Sequence, residues 1–160
     1  MRKCMRILLV LLSVSCWLSY SLGAEQEFQS QFACQEEMAS IPELTSVSIA
    51  GAYTLYERKS DYASFGPLES NLVTYVAWRN TYYGTIIPIC GEDVFHAVMR
   101  SFENSALYGQ PISNNKTRTI VWLSDPFVFR LTRFSYHLGQ LEVLCRERFF
   151  EIEFQDEVSK

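Results

Sequence analysis

Residues 72–102 read LVTYVAWRNTYYGTIIPICGEDVFHAVMRSF, and the hydrophobic period changes within them. Leu72 to Arg79 and Tyr82 to Ile89 are two runs rich in Val, Ile, Tyr and Trp, residue types that suit a pleated, half-buried surface. Asn80-Thr81 between them predicts a hairpin, although the Asn-Gly pair that most favours such turns is absent. After Cys90-Gly91 the spacing becomes helical: Val94, Phe95, Val98, Met99 and Phe102 fall on one face. Glu92 and Asp93 occupy the first turn, where the amide dipoles favour anions. Strand, turn, strand, helix in so short a stretch implies antiparallel pairing with a helix laid against the sheet.

Downstream, Asn104 to Thr117 is a polar connection holding Gly109 and Pro111, followed by three strand candidates: Thr119 to Leu123, Phe127 to Leu138 and Leu141 to Phe154. In the second, Phe127, Phe129 and Leu131 share a face, but Phe134, Tyr136 and Leu138 are one position out of phase, which predicts a bulge near Thr132-Arg133. The last candidate slips in the same way, from Leu141, Val143 and Cys145 to Phe150, Ile152 and Phe154, with Gly139-Gln140 read as the intervening hairpin. Upstream, Phe28 to Ala39 has helical spacing, and Leu44 to Tyr56 alternates as a strand with a bulge or bend at Gly51. Glu57 to Asn71 is a turn-rich loop centred on Gly66-Pro67. The expectation is a single α+β domain: a curved, mainly antiparallel sheet of about six strands with two helices packed on it.

The N-terminus bears on compartment. Arg2, Lys3 and Arg6 precede the apolar run Ile7 to Leu12, and Ser21-Leu22-Gly23 offers small residues at −3 and −1 of a cut. Residues 1–23 therefore read as a secretory signal peptide and 24–160 as one secreted, extracellular domain. The apolar run is shorter than the roughly 20 residues needed to span a bilayer, so no integral membrane segment is expected after cleavage. Three of the 14 basic residues and none of the 18 acidic ones precede Ala24, leaving 11 against 18 and a net charge of −7. Such a balance disfavours nucleic acid and anionic membranes, both of which call for clustered cations.

Three cysteines follow the predicted cut, Cys34, Cys90 and Cys145, an odd number for an oxidising compartment. Closing any one of the three loops is worth about 4 to 5 kcal/mol on the chain-entropy model, so loop length does not choose among the pairings. Cys34 with Cys90, each in or just ahead of a predicted helix, is the preferred bridge, which leaves Cys145 as the odd thiol. An unmatched thiol outside the cell is buried, capped or bonded to another chain. Cys90 also lies ahead of a helix whose dipole favours thiolate, with His96 about two turns along.

Catalytic and ligating signatures are missing: the chain has no HExxH, no paired CxxC, no GxSxG elbow and no glycine-rich phosphate loop. Neither a metal nor a cofactor site is expected. Asn115-Lys116-Thr117 is an N-glycosylation sequon in a polar connection. Tyr53, Tyr56, Tyr75, Trp78, Tyr82 and Tyr83 crowd the first strands, and residues of these types anchor protein interfaces.

Three functions compete. The leading one is a secreted, non-enzymatic binding protein that acts through a protein partner, with an intermolecular disulfide as its covalent version. The second is a carrier of a small apolar ligand: Gly51-Ala52-Tyr53 is similar to the Gly-x-Trp of lipocalins, with tyrosine in place of tryptophan. The resemblance implies a ligand hollow inside a closed sheet, yet a helix falls where those barrels have strands and about six strands are readable instead of eight. The third is a thiol-dependent enzyme built around Cys90.

Overall fold

Two strands, β5 (Thr74–Trp78) and β6 (Thr81–Cys90), form the antiparallel pair anticipated at the centre of the chain, in a computed structural model that describes residues 32–158. The predicted signal peptide 1–23 and residues 28–31 of the predicted first helix lie outside the described residues. The turn is Arg79-Asn80, one residue earlier than predicted, with both residues at positive φ (50° and 68°), the conformation whose twist matches the strands it joins. Neither residue is glycine, so the turn needs external support. Arg79 lies over the Trp78 ring at 4.3 Å, the Asn80 carbonyl accepts from Met38 N (2.9 Å), and the Asn80 amide donates to Glu37 (2.9 Å).

Outward from this pair the sheet grows by meanders. On one side lie β2 (Tyr53–Glu57) and β1 (Thr45–Ala50). On the other lie β10 (Leu138–Cys145), β9 (Phe127–Arg133), β8 (Thr119–Leu123) and β7 (Ile112–Asn114). The order is β1-β2-β5-β6-β10-β9-β8-β7, every neighbouring pair antiparallel, so two four-stranded meanders meet where β6 pairs with β10. The main sheet thus has eight strands, against about six expected, and it is open, with β1 and β7 at its edges. Leu44 to Tyr56 is a hairpin instead of one strand, because Gly51 (φ 62°) reverses the chain. The 57–71 loop contains a small separate hairpin, β3 (Ala63–Phe65) and β4 (Leu68–Ser70), turning at Gly66-Pro67.

The helix read from the period, α1 (Glu92–Glu103), is present and buries Phe95, Val98 and Phe102. The first predicted helix is not formed over its described part, where a 3-10 turn occupies only Met38–Ser40. Tertiary ties override the local spacing there: Cys34 is bonded to Cys145, and Glu37 bridges Thr81 as a strand residue. The last strand is also shorter than predicted, ending at Cys145 and giving way to α2 (Arg146–Val158). Its phase slip marks a change of element and not a bulge. The slip at Phe134 is likewise a turn, since residues 134–137 reverse the chain between β9 and β10, and Phe134 and Tyr136 are exposed. Gly139 belongs to β10, where a Cβ would come within 2.8 Å of the Thr132 carbonyl oxygen and 2.9 Å of Phe95 Cδ2; glycine there lets α1 approach the sheet.

Both sheet faces are covered, by different parts of the chain. On the inner face Ile87, Ile89, Leu131, Leu141 and Val143 pack with α1 and the β3–β4 hairpin, and Phe32, Met38, Tyr56, Tyr75, Tyr82 and Cys145 continue that layer toward the N-terminal segment. On the outer face Ile152 and Phe149 of α2 lie against Val76, Trp78, Tyr83, Val128 and Leu144.

Candidate functional site

The cysteine pairing differs from the preferred one. Cys34 bonds Cys145, with Cα atoms 5.7 Å apart, and among the described residues Cys90 is the unpaired, exposed thiol. Cys34 sits on the N-terminal segment that crosses the sheet beside the end of β10, a position that a short helix would have hidden. Cys90 ends β6 opposite Leu138 in register, and alternation places both on the outer face, beyond the part α2 covers. Leu138 is 54% exposed there, with Ile86 and Pro88, half-buried, next along the same face of β6. His96, by contrast, is on α1, against the inner face, so the sheet separates it from the Cys90 side chain and a Cys/His pair is not assembled.

Of the six aromatic residues read as a candidate interface, Tyr56, Tyr75, Trp78, Tyr82 and Tyr83 are buried and Tyr53 is half-buried. The correction has a simple cause: the bulge opposite Val76/Ala77 sends Tyr82 inward and Tyr83 outward, and each finds a covering layer. Tyr75 donates its hydroxyl to the buried Asp61, which also pairs with Arg58 at 2.7 Å; burial first, then this carboxylate, pushes the phenol well up. These residues pack in the two covered layers of the sheet.

On the inner side an open groove of about 490 Å³ lies between α1 and the β7–β8 hairpin. Phe95, Met99 and Ile120 supply apolar lining; Asn115, Arg118 and Tyr136 are exposed lining residues. Arg133 fixes one wall, its guanidinium 5.6 Å from the Phe95 ring centre and 5.4 Å from that of Tyr136 while donating to Glu92 at 2.9 Å. The Tyr136 hydroxyl holds the Glu92 carboxyl below the usual carboxylate range; burial, next in size, opposes it, and Arg133 and then His96 add to the lowering. A carboxyl lowered in the folded state stabilises it above the unfolded-state pKa and loses that contribution as pH falls through the folded one. In an NMR titration Glu92 should titrate below the ordinary value near 4.3, and Tyr136→Phe should move it upward; coincident midpoints in the two proteins would contradict this arrangement.

Asn115 is exposed at the β7–β8 tip. The turn is held by Asn114, whose Oδ1 accepts from Lys116 N (3.0 Å) and Thr117 N (3.4 Å). A second open groove, of about 510 Å³, lies on the outer face beside Phe149; there Arg130 donates to Glu142 through Nε and Nη2, one edge of the guanidinium, and Gln140 donates to the same carboxylate at 2.9 Å. A ligand hollow of the lipocalin kind would have to displace the aromatic packing that fills the helix-facing side of an open sheet.

The residues around the first groove come from α1, the β7–β8 hairpin and the β9–β10 turn, and no local sequence pattern links them. Among the described residues no helix is long and apolar enough to cross a membrane, and no three His, Cys, Asp or Glu side chains converge as metal ligands do. Comparison with protein-family models, curated proteins and solved structures finds no match.

Proposed function

We propose that this chain is an exported, non-enzymatic binding protein that engages a protein partner through the end of the sheet carrying Cys90. The observation that carries the reading is the cysteine arithmetic in three dimensions. Two of the three thiols beyond the predicted cut satisfy each other, and the third stands exposed beside exposed Leu138 and half-buried Pro88. A buried odd thiol would have been inert, whereas an exposed one in an oxidising compartment meets other disulfides. The covalent version needs no added oxidant: the Cys90 thiolate attacks a partner disulfide, one new S–S bond forms, and one partner sulfur leaves as thiolate. The acidic domain, at −7 without its leader, fits a protein partner better than a polyanion.

The test is disulfide mapping by mass spectrometry on protein recovered from the medium of secreting eukaryotic cells, alongside non-reducing electrophoresis. The expected result is a Cys90 peptide bonded to a peptide of another chain, with the higher band lost in Cys90→Ser and the Cys34–Cys145 peptide pair unchanged. Recovery of Cys90 wholly as a free thiol, or capped only by a small thiol, overturns the covalent reading. Retention of the complex by Cys90→Ser in size-exclusion chromatography would show that the surface contact alone suffices.

A further inference from the structure

We infer that the groove between α1 and the β7–β8 hairpin seats the first sugars of a glycan carried by Asn115, so that the modification is part of the folded domain and not a free appendage. The inference rests on the export reading above, because only an exported chain meets the transferase. Attachment joins the Asn115 amide nitrogen to C1 of an N-acetylglucosamine; the donor's C1–O bond breaks, its lipid pyrophosphate leaves, and the amide loses a proton.

Two independent observations converge. The sequon Asn115-Lys116-Thr117 lies at an exposed hairpin tip, and Asn115 is one of the residues lining the groove, so the attached sugar begins at its lip. The remaining lining has the chemistry a saccharide requires. Tyr136 offers an aromatic ring, 63% exposed, against which the C–H face of a pyranose can lie. Ser113 and Arg118 supply hydroxyl and guanidinium groups for sugar hydroxyls, and Phe95 and Met99 form an apolar floor able to receive the acetamido methyl. The platform is preorganised: Arg133 stands between the Phe95 and Tyr136 rings while its own head is bound to Glu92. Ordering Tyr136 therefore costs little when the sugar docks. The Cys90 side chain lies on the opposite face of the sheet, which leaves the proposed partner surface uncovered by this glycan.

The experiment uses the full chain secreted from eukaryotic cells. Intact mass reports occupancy, enzymatic deglycosylation under native conditions is followed by thermal unfolding, and NOEs are sought between labelled N-acetylglucosamine and the Tyr136 ring. The expected results are an occupied Asn115, a Tm lowered by about 3 °C on sugar removal, and sugar-to-Tyr136 NOEs. The Tm difference should vanish in Tyr136→Ala and persist in Tyr136→Phe, which keeps the ring. Occupancy with neither NOE nor Tm change means a glycan that projects into solvent, and overturns the inference. A secreted product with bare Asn115 also overturns it while leaving the Cys90 reading standing. A chain that is never exported defeats both.

Discussion

Replacing Cys34 and Cys145 together by alanine should lower the stability of the oxidised domain by about 4 to 5 kcal/mol, the loop-closure value for a bridge spanning roughly 100 residues. The two cysteines are 111 positions apart, and the loop between them contains all ten described strands. In the unfolded chain the bridge therefore restricts nearly every segment that must find its place in the sheet. Native packing is lost as well: Phe32 and Met38, both buried on the N-terminal segment, pack in one cluster with Tyr75, Tyr82 and Cys145. Since native proteins are stable by only about 5 to 15 kcal/mol, a loss of that size is a large fraction of the whole. Urea denaturation of wild type, the double variant and Cys90→Ala measures the effect. Cys90→Ala, at an exposed position, should stay within about 0.5 kcal/mol of wild type. A loss below 1 kcal/mol in the double variant would mean that the bridge does not constrain the chain as its position in the fold requires.

What could be read from sequence follows from how long each element is and how steadily it keeps one period. α1 has five apolar residues at helical spacing and was legible in type and extent; β5, β6 and β8 were legible because each carries an aromatic or β-branched run bounded by polar residues. β3, β4 and β7 are three residues each, too short to show a period, and alternation on both sides of Gly51 does not distinguish a bend within one strand from a turn between two. The end of β10 at Cys145 matters most, because a strand continued through Phe154 leaves no α2, and with it no layer to cover Trp78 and Tyr83 on the outer face. An aromatic surface without a cover looks like an interface; with α2 in place it is core. The bridge was missed for a related reason, because Cys145 meets Cys34 only once β10 lies beside the N-terminal segment, and that adjacency is a property of strand order. The groove draws Phe95, Arg118, Arg133 and Tyr136 from α1, the β7–β8 turn and the end of β9 with the turn after it, and only the fold brings them together.

Phe102→Ala should be among the most damaging single substitutions in the chain, at about 3 to 5 kcal/mol, the range for removing a fully buried aromatic ring. Phe102 has no exposed surface, and its ring stacks on Trp122 (4.5 Å between centres) and on Phe65 (4.8 Å), with Tyr108 at 4.7 Å and Phe129 at 5.2 Å. Those four partners come from β8, from the β3–β4 hairpin, from the connection after α1 and from β9, so one ring ties four segments to the helix. Trp122 is itself fully buried and packed in the same cluster against the sheet, so it has little room to move into the resulting cavity. Residual void should therefore persist and add to the lost transfer energy. Phe102→Leu keeps most of the volume and should cost less than half as much, though it forfeits the ring contacts. Chemical denaturation monitored by tryptophan fluorescence separates the two variants. A cost under 1.5 kcal/mol for Phe102→Ala would show that α1 and the β3–β4 hairpin are held to the sheet by something other than this aromatic cluster.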